Sequence, residues 1–112
     1  MDITFTTRHG NPVSEQIRSR ATRRLGRLER YSRRITAATV AFDSERGSRL
    51  VEVRLSVAGR PPLVARADSG NSREAFDRAV ARLERQLKRW QERRVARRTA
   101  RVREAGAPEE ID

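Results

Sequence analysis

Between Ser72 and about Arg94, the apolar residues Phe76, Ala79, Val80, Leu83, Leu87 and Trp90 recur at steps of three and four. That spacing places them on one side of a 3.6-residue helix. Arg78, Arg82, Arg85, Arg89 and Arg93 keep the same step on another side. At about 100° per residue, Asp77, Glu84 and Glu92 fall on a third flank. One helix thus presents a greasy face, a positive row and an acidic edge. The greasy face needs cover inside the fold. The positive row meets an external partner or water.

The clearest candidate for that cover is Leu50 to Val57. Val51, Val53, Leu55 and Val57 face one way, and Glu52, Arg54 and Ser56 the other. Alternation of this kind marks a strand with one dry face and one wet face. Three further strands are expected. Asp2 to Thr7 places Ile3 and Phe5 on one face, and Ile35 to Phe42 places Ala38, Val40 and Phe42 on one face. Leu63 to Asp68 follows Pro61-Pro62, which suits a strand start or an edge. Polar, Gly- and Pro-containing stretches separate them, among them Asp43 to Ser48, read as a loop.

A second helix is expected from Ser14, its N-cap, to about Arg33. Glu15 sits in its first turn, and Ile17, Ala21, Leu25, Leu28 and Tyr31 form its stripe. Arg20, Arg23, Arg27, Arg30 and Arg34 run beside that stripe. Gly26 falls mid-helix, at a cost of roughly 1 kcal/mol relative to Ala. Ser72 is the expected N-cap of the long helix. The order β-α-β-β-β-α gives an α+β two-layer sandwich, with a four-stranded sheet and both helices on its dry face. Both arginine rows then lie outside the helical layer and form one basic surface. The folded domain is expected over residues 1–94. A basic-then-acidic extension, partly helical or disordered, is expected over 95–112.

The charge follows the helices. The net charge is +11, of which residues 14–34 carry +6 and residues 70–103 carry +8. Residues 104–112 carry −4. Hydrophobic content is 36%, below the usual 45–50% or so, and allows only a small core. A polyanion is the natural partner of such a surface. Lys88 is the only lysine, so arginine supplies nearly all the positive charge. Its planar fork suits phosphate and structured RNA. With no cysteine there is no disulfide or thiolate metal site. No secretory signal or apolar run of membrane length is present, so the chain reads as cytoplasmic and soluble.

His9 is the single histidine and lies in a loop beside Gly10, read as a surface residue. No nucleophile has a base near it in sequence, and there is no Gly-rich phosphate loop. The chain reads as a binding protein, not an enzyme, without a cofactor or metal. Phe5, Phe42 and Phe76 fall on core faces. Tyr31 and Trp90 read as core-edge residues ahead of base-stacking platforms.

Arg27-Leu28-Glu29-Arg30-Tyr31, Ala75-Phe76-Asp77, Leu83-Glu84-Arg85-Gln86-Leu87 and Thr6-Thr7-Arg8-His9, with the β-α-β-β-β-α order, resemble the ribosome hibernation promoting factors. That family includes the ribosome-associated inhibitor A type. The resemblance covers residues 1 to about 94. It implies binding to small-subunit ribosomal RNA in the cleft between head and body, across the messenger RNA path and the A- and P-site transfer RNA positions. Translation is thereby silenced under stress or in stationary phase.

The matching RNA-binding positions are Arg24, Arg27, Arg82, Arg85, Arg89 and Arg93, with Arg20, Arg23, Arg30, Arg78 and Lys88 as a secondary set. Arg24 lies at the edge of the apolar stripe, where it can also pack. Asn71-Ser72-Arg73 departs from the family's acidic-x-aromatic lead into the second helix. The chain is too short for the C-terminal dimerising domain of long members, which implies a short-type member, monomeric when free. A generic duplex binder, or a module for an acidic protein partner, would use the same rows.

Overall fold

The computed structural model describes residues 1–104, and side chains through 100. Its order is β1 (Asp2–Thr7), α1 (Glu15–Gly26), a 3₁₀ turn (Arg27–Tyr31), β2 (Ile35–Glu45), β3 (Ser48–Val57), β4 (Leu63–Ser69) and α2 (Ser72–Glu104). The strands lie side by side as β1-β2-β3-β4. β1 runs parallel to β2, and β2, β3 and β4 form an antiparallel meander. A parallel pair needs a long crossover, and α1 supplies it.

The core lies between the sheet and the helices. From the strands it takes Val40 and Phe42, Val51, Val53, Leu55 and Val57, and Leu63, Ala65 and Ala67. From the helices it takes Ala21, Leu25, Leu28, Ala75, Phe76, Ala79, Val80, Leu83 and Leu87. No polar or charged residue is buried among the described residues. Phe5 is half-buried and stacks on Phe42 with ring centroids 6.5 Å apart. A bulge between Ile35 and Ala37 keeps Ile35, Ala38 and Val40 all inward.

Three expectations about element ends are corrected. The stretch Asp43–Ser48 is not a loop. β2 and β3 run through it to the pair Glu45–Ser48, leaving a two-residue turn. That turn places Arg46 at φ 49° and Gly47 at φ 79°, as a twisted hairpin requires. The first α-helix stops at Gly26, and the next turn tightens into a 3₁₀ turn before Ser32 goes extended. The cap of α2 is Asn71, not Ser72: its side-chain oxygen accepts the Glu74 N–H at 2.8 Å. Helix α2 runs past Arg94 to Glu104, so the first part of the extension is helical. Ser14 caps α1 as expected, accepting the Ile17 N–H at 3.3 Å. The expected disordered acidic end, 105–112, lies outside the described residues.

Gly26 has ordinary helical dihedrals and nothing within 4 Å of where a Cβ would sit. Its hydrogen therefore serves no close approach. Gly26→Ala is expected to raise stability by about 0.5–1 kcal/mol, because Ala loses less backbone freedom on folding. A urea unfolding midpoint checks this, and an unchanged or lower midpoint would refute it.

Candidate nucleic-acid interface

The acidic flank of α2 forms the seam between the helices. Arg20 Nη2 donates to Asp77 Oδ2 at 2.8 Å, and Arg24 Nη1 to Glu84 Oε1 at 2.9 Å. The Tyr31 hydroxyl donates to Glu84 Oε2 at 3.2 Å, and Arg30 Nη2 lies 3.6 Å from the same oxygen. Burial pushes the Glu84 carboxyl up. The bonds from Arg24 and Tyr31, with the charges of Arg24 and Arg30, outweigh it and hold Glu84 below its ordinary value of 4.5.

A lowered carboxylate value means the folded state favours the ionised form. This stabilisation is complete above the unfolded-state value near 4.5 and is lost as pH falls through the lower folded value. Glu84→Gln is therefore expected to flatten the acid limb of the stability curve below about pH 4.5. Thermal melts across that window check this. Parallel acid limbs for both proteins would contradict it.

The other side of α2 meets the sheet edge. Arg78 Nη1 donates to the Asp68 carbonyl at 3.0 Å, Arg82 to the Arg66 carbonyl, and Gln86 to the Val64 carbonyl at 3.1 Å. Three side chains one turn apart thus occupy alternate carbonyls along the edge strand β4. An open edge invites another strand, and this ladder blocks it. Arg78 also pairs with Glu74.

These contacts divide the candidate residues. Arg20, Arg24 and Arg30 of the first helical segment turn toward α2, and Arg78 and Arg82 turn toward β4. The single basic surface expected from two complete rows is therefore thinner. Exposed arginines and one lysine remain on both helical segments: Arg23, Arg27, Arg85, Lys88, Arg89 and Arg93. None of these six has an ion-pair or side-chain hydrogen-bond partner among the described residues. A guanidinium without an internal partner keeps all its donors for an external phosphate.

The aromatic residues are accounted for within the fold. Tyr31 is half-buried and tied to Glu84, with the Arg30 guanidinium 5.0 Å from its ring centroid. Trp90 is half-buried, with Arg60 and Arg94 at 5.4 and 5.1 Å from its ring. His9 is exposed and lies 2.9 Å from Asp43. Its hydrogen bond, then that of the Ser44 N–H, lowers the Asp43 carboxyl. Among the described residues no cluster of His, Cys, Asp and Glu can hold a metal, and no helix is long and apolar enough to cross a membrane.

The family model described as Sigma 54 modulation protein / S30EA ribosomal protein matches residues 3–95. The chain belongs to this family. Its fold is shared with a ribosomal subunit interface protein from Coxiella burnetii, at 22% identity and TM-score 0.74. That alignment covers 82% of this chain and 99% of the other. It is also similar to the N-terminal domain of Protein Y from Thermus thermophilus, at 26% identity and TM-score 0.70. Coverage there is 80% of this chain and 99% of that domain. No curated protein sequence matches the chain. The sandwich and the seam thus lie within the stretch the family shares, and α2 extends nine residues beyond it.

Proposed function

We propose that the protein binds the small ribosomal subunit through its helical layer and blocks translation there by occupancy, without catalysis, under stress or in stationary phase. Membership in a ribosomal protein family supports this reading. The observation that carries it is the outward set Arg23, Arg27, Arg85, Lys88, Arg89 and Arg93, left without internal partners among the described residues while neighbouring arginines serve the fold. Arginine forks engage ribosomal RNA phosphates and release counterions, which supplies affinity and fixes orientation. The rigid two-layer body behind them excludes messenger RNA and the anticodon ends of A- and P-site transfer RNA. The engaged arginines act indirectly: Arg20, Arg24 and Arg30 hold the helices together, and Arg78 and Arg82 hold α2 to β4. The protein acts in the cytoplasm as a monomer with no cofactor.

Occupancy makes a specific demand. Small subunits preloaded with messenger RNA and a P-site anticodon stem-loop should bind the protein at least tenfold more weakly than empty ones. Equal affinity for loaded and empty subunits would place the protein elsewhere on the ribosome.

A further inference from the structure

Past Trp90 the long helix leaves the core, and Val95 is 57% exposed. Where it passes the turn into β2, Tyr31, Arg33, Arg34, Gln91, Arg94 and Arg98 line a crevice of about 260 Å³. Four arginines are in the lining, and no acidic residue is. Elsewhere on the molecule Arg20, Arg24, Arg30, Arg66 and Arg78 are each matched to an acid. None of the four crevice arginines has an ion-pair partner among the described residues.

Two of the four are held in place. The Arg34 main-chain N–H donates to Ser32 Oγ at 3.1 Å, and its carbonyl accepts the Ala58 N–H at 2.8 Å. Its Nη1 rests against Gly59, 3.5 Å from the position of a Cβ there. The Arg94 guanidinium rests over the Trp90 ring, 5.1 Å from its centroid. Like charges held together repel, and a multiply charged anion between them removes that repulsion.

We propose that this crevice is a phosphate site, separate from the outward helical face, that takes two neighbouring phosphates of a single-stranded RNA. Its volume lies below the range of about 300–1,000 Å³ that encloses a small organic ligand, which disfavours a whole nucleotide. The Tyr31 hydroxyl is engaged by Glu84 and its ring by Arg30, so no free aromatic face offers a base platform. Recognition is therefore through the backbone and indifferent to sequence. The site is concave, and seating adjacent phosphates in it requires a local bend, which a single strand takes more readily than a duplex. This inference does not depend on ribosome binding.

Trp90 is the only tryptophan and touches Arg94, so its fluorescence reports on the crevice. The test titrates a short oligouridylate into the full chain and into two charge-matched variants, Arg34→Gln/Arg98→Gln in the crevice and Arg54→Gln/Arg73→Gln outside both basic surfaces. Neither variant alters a residue at the Trp90 ring, and all four positions are exposed. Both lower the net charge by two, so long-range attraction falls equally.

The expected result is saturable quenching that weakens at least tenfold in the crevice variant and less than about threefold in the control variant. The slope of log affinity against log salt should fall by about 1.4 in the crevice variant, at roughly 0.7 per single-strand phosphate. Equal weakening in both variants would reduce the effect to net charge and overturn the proposal. So would a Trp90 response to inorganic pyrophosphate or a nucleoside triphosphate with none to oligouridylate, which would assign the crevice to free phosphates.

Discussion

Reversing the charge at Arg85 and Arg89 together should weaken small-subunit binding at least 100-fold at physiological salt and leave the fold intact. Both side chains are exposed and bond to nothing among the described residues. Surface changes of this kind shift stability by no more than about 0.5 kcal/mol. Binding responds otherwise, because each reversed arginine loses a phosphate contact and adds a repulsive charge at the same place. The control lies in the seam between the helices, at Arg24 of α1. Arg24→Ala should destabilise the domain by about 1–2 kcal/mol, by leaving Glu84 with fewer donors, and weaken binding far less than the double reversal. Filter binding and thermal melts on the same samples separate the two effects. Loss of folding in Arg85→Glu/Arg89→Glu would make that row structural.

Phe76→Ala should be the most damaging single change to the fold, at about 3–5 kcal/mol. Phe76 is the largest fully buried side chain, 1% exposed, in the second turn of α2. The opposing strand β4 offers only Leu63, Ala65 and Ala67 on its inner face. The two alanines cannot reach in to fill the space that Phe76→Ala leaves, so most of the cavity persists. Against a total stability of roughly 5–15 kcal/mol, such a loss approaches unfolding for a chain with this small a core. Urea unfolding gives the value directly. A cost below about 1.5 kcal/mol would mean that α2 repacks freely on the sheet.

The elements were legible where periodicity and burial agree. In Leu50–Val57 the alternation decides the face, and in α2 the step of three and four does. The ends were less legible, for local reasons. Gly26 sits in good helical spacing, yet the backbone tightens after it, because stripe residues Leu28 and Tyr31 still reach the core from a 3₁₀ turn. Asp43-Ser44-Glu45 is polar and reads as a loop, but polar residues are tolerated at the solvent end of a hairpin. Asn71 and Ser72 are adjacent cap formers, and only the geometry of the Glu74 N–H decides between them.

The candidate interface was legible in composition but not in detail. Helical spacing separates Asp77 and Glu84 from the arginine row of α2, yet it does not say that α1 will lie against that flank. Once it does, Arg20, Arg24 and Arg30 have acids to meet. Likewise, Pro61-Pro62 suits β4 to a strand start or an edge, but does not say that α2 will lie along that edge, where Arg78, Arg82 and Gln86 find free carbonyls to occupy. Which arginines are left over is a property of packing, and the row alone cannot show it.

The most direct test of ribosome binding is co-sedimentation with separated ribosomal subunits at low and moderate salt, with unrelated duplex RNA as competitor. The account predicts saturable binding to the small subunit, near one protein per subunit, that persists in excess duplex. Binding that transfers to any duplex and collapses with salt would contradict it and leave a general polyanion binder. No association with either subunit would contradict it as well, and would point to an acidic protein as the partner of the helical face.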